Sequence, residues 1–370
     1  MVKKLSSDVI ELDGPEAAMD YAWEHGWTDG LPIVPPTPER VAAFLEYAQL
    51  EPDQIVAEYH VRNRGVSAEK VAINAVMAGC KPEYMPVITT ALEAMCDPVF
   101  RLNHIASTSS PWPMFIVNGP IAHEIGLHNG QYCLGPGHRA NVTIGRAMSL
   151  ILANCLDARP GGVQQGTMGN PCRLGGQVIA EREDTSWVPL SFLRGYPMGA
   201  NVVTVMGTME PPQDVRVYGM PTVNTAESLS TVLAEYVSDG WFAPGTFVIV
   251  ISPEFQRVYL DAGWSKQDLI RFLEENTRTS VARLKRKARW PAPPGHTSGI
   301  PPIEPGDETK WVYHAKAHPT SLADMQTVRK ADYLIALAGG DVAGFAVIFR
   351  PYPTGTAPVS RVIRRPGEKA

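Results

Sequence analysis

MFIVNGP at residues 114–120 and ANVTIGRAMSLILANCLD at residues 140–157 are the two stretches that indicate the fold class. The first is a continuous apolar run followed by Gly and Pro, which predicts a buried strand that ends in a turn. The second places apolar residues such as Ile144, Met148 and Ile151 on one face of a helix. A strand that is followed along the chain by a helix is typical of an α/β protein.

The same alternation continues toward the C-terminus. TFVIVIS at 246–252 predicts a strand that leads directly into a helix. Apolar runs at 332–340 and 343–349 predict two further strands around a glycine turn. The 33 prolines and 32 glycines among 370 residues predict many loops and turns. We therefore predict an α/β fold of mixed sheets with helices, rich in loops.

The length of the chain predicts two subdomains. The segment 208–222 contains three prolines and little apolar pattern, which marks it as a boundary. We expect an α/β domain at 1–215 that contains the active site. A smaller α/β domain is expected at 216–370, with a proline-rich loop at 290–310.

The charge balance excludes several classes of partner. With 33 basic and 38 acidic residues, the net charge is −5, so the chain lacks the basic field that attracts nucleic acid or an anionic membrane. Its apolar runs are too short to span a bilayer, and its first residues lack the apolar segment of a secretory signal. Five cysteines without a C-x-x-C pair argue against a disulfide framework. We expect a cytoplasmic protein that binds neither nucleic acid nor a membrane.

The stretch GPGHRANVTIGRA at 135–147 is the densest group of candidate binding residues. A tight glycine loop before a helix, with two nearby guanidinium groups, suits a carboxylate or a phosphate. The predicted substrate-binding residues are Asn118, from the turn after the strand at 114–120, and Gly135, Gly137, Arg139, Asn141 and Arg146. In the alternative interpretation, the glycines only form a turn and Asn141 only caps the helix. Arg146, on an otherwise apolar helix, would then pair with a buried carboxylate.

Cys80 is the candidate nucleophile, because the neighbouring Lys81 favours a thiolate. The alternative is a small buried residue, since free cysteines often pack as apolar groups. Glu181 follows a predicted strand, and strand ends are where α/β enzymes place acids and bases. We expect Glu181 or His138 to transfer the proton, and we expect Glu183 to lie in a solvated turn.

Four histidines of the loop-rich segment 104–138 are candidate ligands of a divalent or transition metal. They are His104, His123, His128 and His138. Their spacing matches no standard ligand motif. The alternative is a set of surface and capping histidines.

Several motifs resemble the UGSC-type (seleno)protein family and its associated bacterial proteins. They are DGLPIVPPTPERV (29–41), MAGCKPEYMPVI (77–88), VNGP (117–120) and GPGHRANVTIGRA (135–147). The resemblance covers most of 20–190 and, more weakly, 220–350. The chain lacks the Cys-Gly-Ser-Cys motif, so the redox pair that names the family does not carry over. The resemblance implies an enzyme and places Cys80, Asn118, Arg139, Asn141 and Arg146 at recurrent motif positions.

The leading functional hypothesis is an enzyme, a hydrolase or a lyase, that acts on a small anionic or polar organic molecule. It would cleave a carbon–heteroatom bond, with Cys80 as nucleophile or soft ligand and with Arg139 and Arg146 binding an anionic group. The second hypothesis is a metal-dependent enzyme that uses the loop histidines. The third is a non-catalytic subunit of a hetero-oligomer, in which proline-rich loops contact a partner chain; a homo-oligomer is also compatible with the sequence.

Overall fold

The structure is a computed structural model that describes most of the chain. The described residues are 4–170, 172, 174–175, 177–209, 213–216, 219–236, 245–288, 302–313, 332–352 and 357–368. They form an α/β fold with mixed sheets, which confirms the predicted fold class. Most of the predicted proline-rich loop, residues 290–301, lies outside the described residues.

The helices of the described residues are distributed along the whole chain. They are α1 (Pro15–Glu24), α2 (Pro38–Ala48), α3 (Ala68–Met77), α4 (Met85–Cys96), α5 (Pro120–Glu124), α6 (Arg139–Leu156), α7 (Leu190–Leu193), α8 (Thr222–Tyr236), α9 (Pro253–Leu260), α10 (Lys266–Asn276) and α11 (Val281–Arg286). The predicted helix at 140–157 corresponds to α6. Among the described residues, none of these helices is long and apolar enough to cross a membrane.

The strands alternate with the helices. They are β1 (Ile55–Tyr59), β2 (Arg64–Ser67), β3 (Trp112–Asn118), β4 (Gln177–Ala180), β5 (Val202–Thr208), β6 (Gln213–Arg216), β7 (Thr246–Ile251), β8 (Arg278–Ser280), β9 (Trp311–Tyr313), β10 (Asp332–Leu337), β11 (Phe345–Phe349) and β12 (Val359–Val362). The quoted stretch at 114–120 contributes most of β3, which is buried along its whole length because helices and neighbouring strands cover it.

The chain divides into two compact units. Unit 1 comprises Met1–Asp184, Pro189–Pro211 and Ala357–Ala370, and unit 2 comprises Thr185–Val188 and Pro212–Thr356. The expected domain at 216–370 therefore differs from unit 2 at its C-terminal end, and unit 2 also contains Thr185–Val188, which was expected in the first domain. At the C-terminal end, the reason is strand β12, which pairs antiparallel with β5 inside unit 1. A local sequence pattern predicts a strand but does not show which sheet it joins.

Unit 1 is built around a four-stranded sheet with the order β12-β5-β3-β4. Strands β3 and β4 are parallel, with Met114 opposite Gln177, and β5 is antiparallel to β3. Helices α4 and α6 pack against this sheet and share its apolar core. Because β3 and β4 run in the same direction, their carboxyl ends meet at one edge of the sheet.

Unit 2 contains a second four-stranded sheet, with the order β10-β7-β11-β6. Strands β7 and β10 are parallel, and β11 is antiparallel to both β7 and β6. Helix α9 follows β7 directly. The Ser252 side chain accepts a hydrogen bond from the Phe255 backbone and caps α9, as expected for the Ser-Pro pair at the end of this strand.

Candidate functional site

The carboxyl ends of β3 and β4 bring three polar side chains together. Strand β3 ends at Asn118, and Glu181 directly follows β4. The Asn118 amide nitrogen Nδ2 donates to Glu181 Oε2 at 2.7 Å and to Glu183 Oε1 at 2.8 Å. One amide group thus bridges two carboxylates, and we call Asn118, Glu181 and Glu183 the carboxylate fork.

Backbone groups hold both carboxylates of the fork in place. The Leu190 N–H donates to Glu181 Oε2 at 2.6 Å, and the Gly119 N–H donates to Glu183 Oε1 at 2.8 Å. Gly119 has a φ of +89°, and a Cβ there would lie 2.5 Å from the Ala200 carbonyl oxygen. Only glycine therefore fits at this position, where the chain turns from β3 and offers its N–H to Glu183.

Burial and exposure differ within the fork. Asn118 is fully buried and Glu181 is 4% exposed, whereas Glu183 is half-buried. The Asn118 oxygen Oδ1 is buried and accepts no hydrogen bond from the described residues. Leaving a buried amide oxygen unpaired costs about 1–3 kcal/mol. The amide orientation that lets Asn118 donate to both carboxylates therefore destabilises the fold slightly, and such unpaired buried groups are typical of functional sites.

Sequence reasoning identified Glu181 but placed Glu183 in a solvated turn. The structure corrects this second interpretation, because Glu183 is bonded to Asn118 and to the Gly119 backbone. The sequence signal for this pairing was that Glu181 and Glu183 are two positions apart. In an extended segment, residues i and i+2 point to the same side.

Asn141 organises the loop that precedes α6. Its Oδ1 accepts from the His128 N–H at 2.8 Å, and its Nδ2 donates to the carbonyls of His128 and Val178 at 2.9 and 3.0 Å. The side chain is 4% exposed. Backbone groups thus occupy its polar atoms, and the helix N-cap is His138. The predicted substrate-binding role is replaced by a structural one, since Asn141 ties the loop to β4.

His128 and His138 form a stacked pair on this loop. Their ring centroids lie 3.6 Å apart with an interplanar angle of 11°, and a ring nitrogen of His128 lies 2.9 Å from the Gln131 carbonyl oxygen. The neighbouring Asn129 amide donates to the backbone carbonyl of Glu181 at 3.4 Å. The loop that carries His138 is therefore hydrogen-bonded to the backbone of Glu181, one of the three residues of the fork.

The two candidate anion-binding arginines both bond to the chain itself. The Arg139 guanidinium donates to the Gly79 carbonyl from Nε at 3.1 Å and from Nη2 at 2.9 Å. Arg146 pairs bidentately with Asp29, with Nε–Oδ2 at 2.9 Å and Nη2–Oδ1 at 2.8 Å. Burial acts to raise the pKa of Asp29, but the Arg146 guanidinium holds that pKa below its usual range. Arg146 thus follows the alternative interpretation, pairing with a buried carboxylate.

The glycines of the predicted anion loop have conformational roles. Gly137 has a φ of +112°, which other residues rarely adopt. Gly135 lies against the ring of Tyr132, where a Cβ would clash. Both glycines fit the alternative interpretation of a tight turn before α6. Of the two arginines that would complete an anion site, Arg146 is paired with Asp29, whereas Arg139 is exposed and bonds to backbone carbonyls.

Cys80 is placed as a packed thiol. It is 6% exposed, and its Sγ donates to the Thr143 carbonyl at 3.2 Å. Burial raises the pKa of this thiol to about 12, although the hydrogen bond and the nearby arginines act in the opposite direction. A nucleophilic cysteine needs its thiolate form. Its burial and its bond to α6 favour the alternative interpretation, a small residue packed between α3 and α6.

The four candidate metal-binding histidines are not assembled into one site. His128 and His138 stack on the loop before α6, whereas His104 lies in the short helical segment Leu102–Ala106 and His123 lies on α5. Burial and the nearby Arg101 lower the pKa of His104. Across the part of the chain that the structure describes, no three His, Cys, Asp or Glu side chains are grouped so that they could bind a metal ion.

Compared with models of known protein families and with curated proteins, the chain matches none. The resemblance to the UGSC-type family stays a hypothesis carried by the quoted motifs. Within those motifs, the structure gives Asn118 a place in the fork, while Cys80, Arg139, Asn141 and Arg146 stabilise the packing around α6.

Proposed function

We propose that the protein is an enzyme that cleaves a carbon–heteroatom bond in a small polar organic molecule, by hydrolysis or elimination. The carboxylate fork is the observation that supports this proposal. Paired carboxylates at the carboxyl ends of parallel strands are well suited to proton transfer in α/β enzymes. Arg146 already pairs with Asp29, so an anionic group of the substrate would have to bind Arg139, which is exposed and whose guanidinium bonds only to backbone carbonyls of the described residues.

Glu183 is the proposed proton acceptor of the fork. Its Oε1 is fixed by Asn118 and by the Gly119 N–H. Its Oε2 makes no hydrogen bond with the described residues, and the side chain is half-buried, so a substrate or a water can approach it. In hydrolysis Glu183 would take a proton from the attacking water, and in elimination it would take a proton from the substrate carbon.

Glu181 and Asn118 have supporting roles in this proposal. Glu181 Oε2 accepts two hydrogen bonds, from Asn118 and from the Leu190 N–H, and the side chain is buried, so this carboxylate is less accessible to a substrate than Glu183. Asn118 is a positioning residue, because it fixes the distance between the two carboxylates. His138 is the alternative proton carrier on the adjoining loop.

The cysteines support a cytoplasmic setting for this chemistry. All five are free thiols, as is usual in a reducing compartment. A cytoplasmic location and a small-molecule substrate are parts of the same proposal.

The test is to compare Glu183→Gln with Asp184→Asn. Asp184 is the neighbouring acid; it is exposed and pairs with Arg182 at 2.9 Å, so it serves as the matched control. The purified protein is screened against small esters, amides, epoxides and β-hydroxy acids for turnover. We expect Glu183→Gln to lose about 10²–10⁴-fold in kcat at unchanged Tm, and Asp184→Asn to keep wild-type turnover. Turnover that survives in Glu183→Gln would contradict the proposal.

A further inference from the structure

Unit 2 contains a cavity of about 290 Å³ that is separate from the carboxylate fork. It is lined by residues 186–188, 260 and 263–267. Its volume lies just below the range for ligand pockets, which begins near 300 Å³. It is about twice the ~150 Å³ of a cavity that accommodates benzene. The cavity therefore has room for one ligand of about two fused rings.

Two indole rings shape the cavity. The Trp187 Nε1 donates to the Trp264 carbonyl at 2.9 Å, and the two rings lie 6.0 and 5.8 Å from the ring of Tyr259. Trp264 also lies 5.6 Å from Phe272. These contacts fix the indoles before any ligand arrives, which lowers the entropic cost of binding. Trp187 is 4% exposed, whereas Trp264 is half-buried and offers surface to the cavity.

The charged groups at the cavity are already engaged within the chain. Lys266 is 1% exposed and interacts with the chain itself. At the start of α10, the Asp268 N–H donates to Ser265 Oγ and the Ser265 N–H donates to Asp268 Oδ2, at 3.1 and 2.8 Å. This capping box pairs the Asp268 carboxylate and two N–H groups at the start of α10 within the chain. A ligand is therefore met by aromatic surface and by the exposed polar side chains of Ser186 and Gln267.

We propose that this cavity binds a small, flat, uncharged ring compound that stacks against Trp264. Planar rings pack favourably on indole. A charged ligand would have to give up hydration without an available partner of opposite charge. The proposal is independent of the catalytic role of the fork, because none of the fork residues lines the cavity.

The experiment uses two probes with the same ring, indole and indole-3-carboxylate, titrated calorimetrically into the full chain. We expect one site for indole with a Kd of about 0.1–1 mM, the range for a ligand of this size. Indole-3-carboxylate is expected to bind at least about tenfold more weakly. Absence of indole binding, or equal or tighter binding of the carboxylate, overturns the proposal.

Three variants locate the binding. Trp264→Ala is expected to abolish indole binding. Gln267→Trp, which changes an exposed residue at the cavity and leaves the core intact, is expected to weaken binding at least about tenfold by filling the opening. Trp311→Ala removes a tryptophan that is 51% exposed elsewhere in unit 2 and is expected to leave the Kd unchanged. Wild-type affinity in Gln267→Trp, or a loss of affinity in Trp311→Ala, would place the ligand elsewhere.

Discussion

The ion pair between Arg146 and Asp29 is predicted to stabilise the fold. Arg146→Met keeps an unbranched apolar side chain on α6 and removes the guanidinium group. Asp29 then loses two charge-assisted hydrogen bonds, of 2.9 and 2.8 Å, and the Pro32 carbonyl loses a third of 2.9 Å. The remaining carboxylate belongs to a side chain that is only 13% exposed.

The magnitude follows from this burial. Removing one partner of a buried ion pair costs about 3–5 kcal/mol, because the other charge stays desolvated. The side chains of Arg146 and Asp29 are 12% and 13% exposed, so water screens part of that charge. We therefore expect Arg146→Met to lower the free energy of unfolding by about 2–4 kcal/mol. Arg40→Met is the control, since Arg40 is exposed and, among the described residues, its guanidinium bonds only to the Pro35 carbonyl.

The assay is urea unfolding between pH 3 and pH 7. The pKa of Asp29 is lower in the folded than in the unfolded chain, so its stabilisation is complete above the unfolded value of about 4. It is lost as the pH falls through the folded value. Arg146→Met should remove this part of the pH dependence. Unchanged unfolding in Arg146→Met, together with lost turnover, would refute the reasoning and restore the predicted anion-binding role.

Two further predictions concern buried groups of unit 1. Cys80 should resist iodoacetamide at pH 8 in the native protein and react after unfolding, because burial raises the pKa of the thiol to about 12. For the same reason, Cys80→Ala should keep turnover. Rapid alkylation of Cys80 in the native protein would contradict this prediction. Glu69 accepts hydrogen bonds from Ser6 and Ser7, which lower its pKa to about 2 although burial opposes them. The stabilisation that the ionised Glu69 contributes should be present above about pH 4.5 and lost toward pH 2. Glu69→Gln should lower the free energy of unfolding at pH 7 by about 2 kcal/mol, and the stability of this variant should no longer show that loss in acid, as measured by thermal unfolding.

Features that depend on local pattern could be predicted from the sequence. The apolar run of β3 and the helical repeat of α6 are each contained in fewer than 20 residues. Thr37 and Ser252 each precede a proline at the start of a helix, which is a local sequence signal, and both accept a backbone hydrogen bond as helix caps. The α/β class follows from these elements alone.

Partnerships between distant residues could not be predicted in this way. Arg146 and Asp29 are 117 positions apart, and nothing near Arg146 in the sequence specifies which carboxylate it meets. Asn141 bonds to Val178, and Asn118 to Glu183, only because α6, β3 and β4 are adjacent in the fold. The return of β12 to unit 1 has the same origin. Candidate site residues were therefore easier to name than to assign to roles.

The chain enters unit 2 twice, first at Thr185–Val188 and again at Pro212–Thr356. The chain leaves unit 1 after Asp184, contributes Trp187 to the aromatic core of unit 2, and re-enters unit 1 at Pro189. Excising 212–356 as an insertion would therefore leave a tryptophan without its packing partners and deprive the excised piece of part of its core.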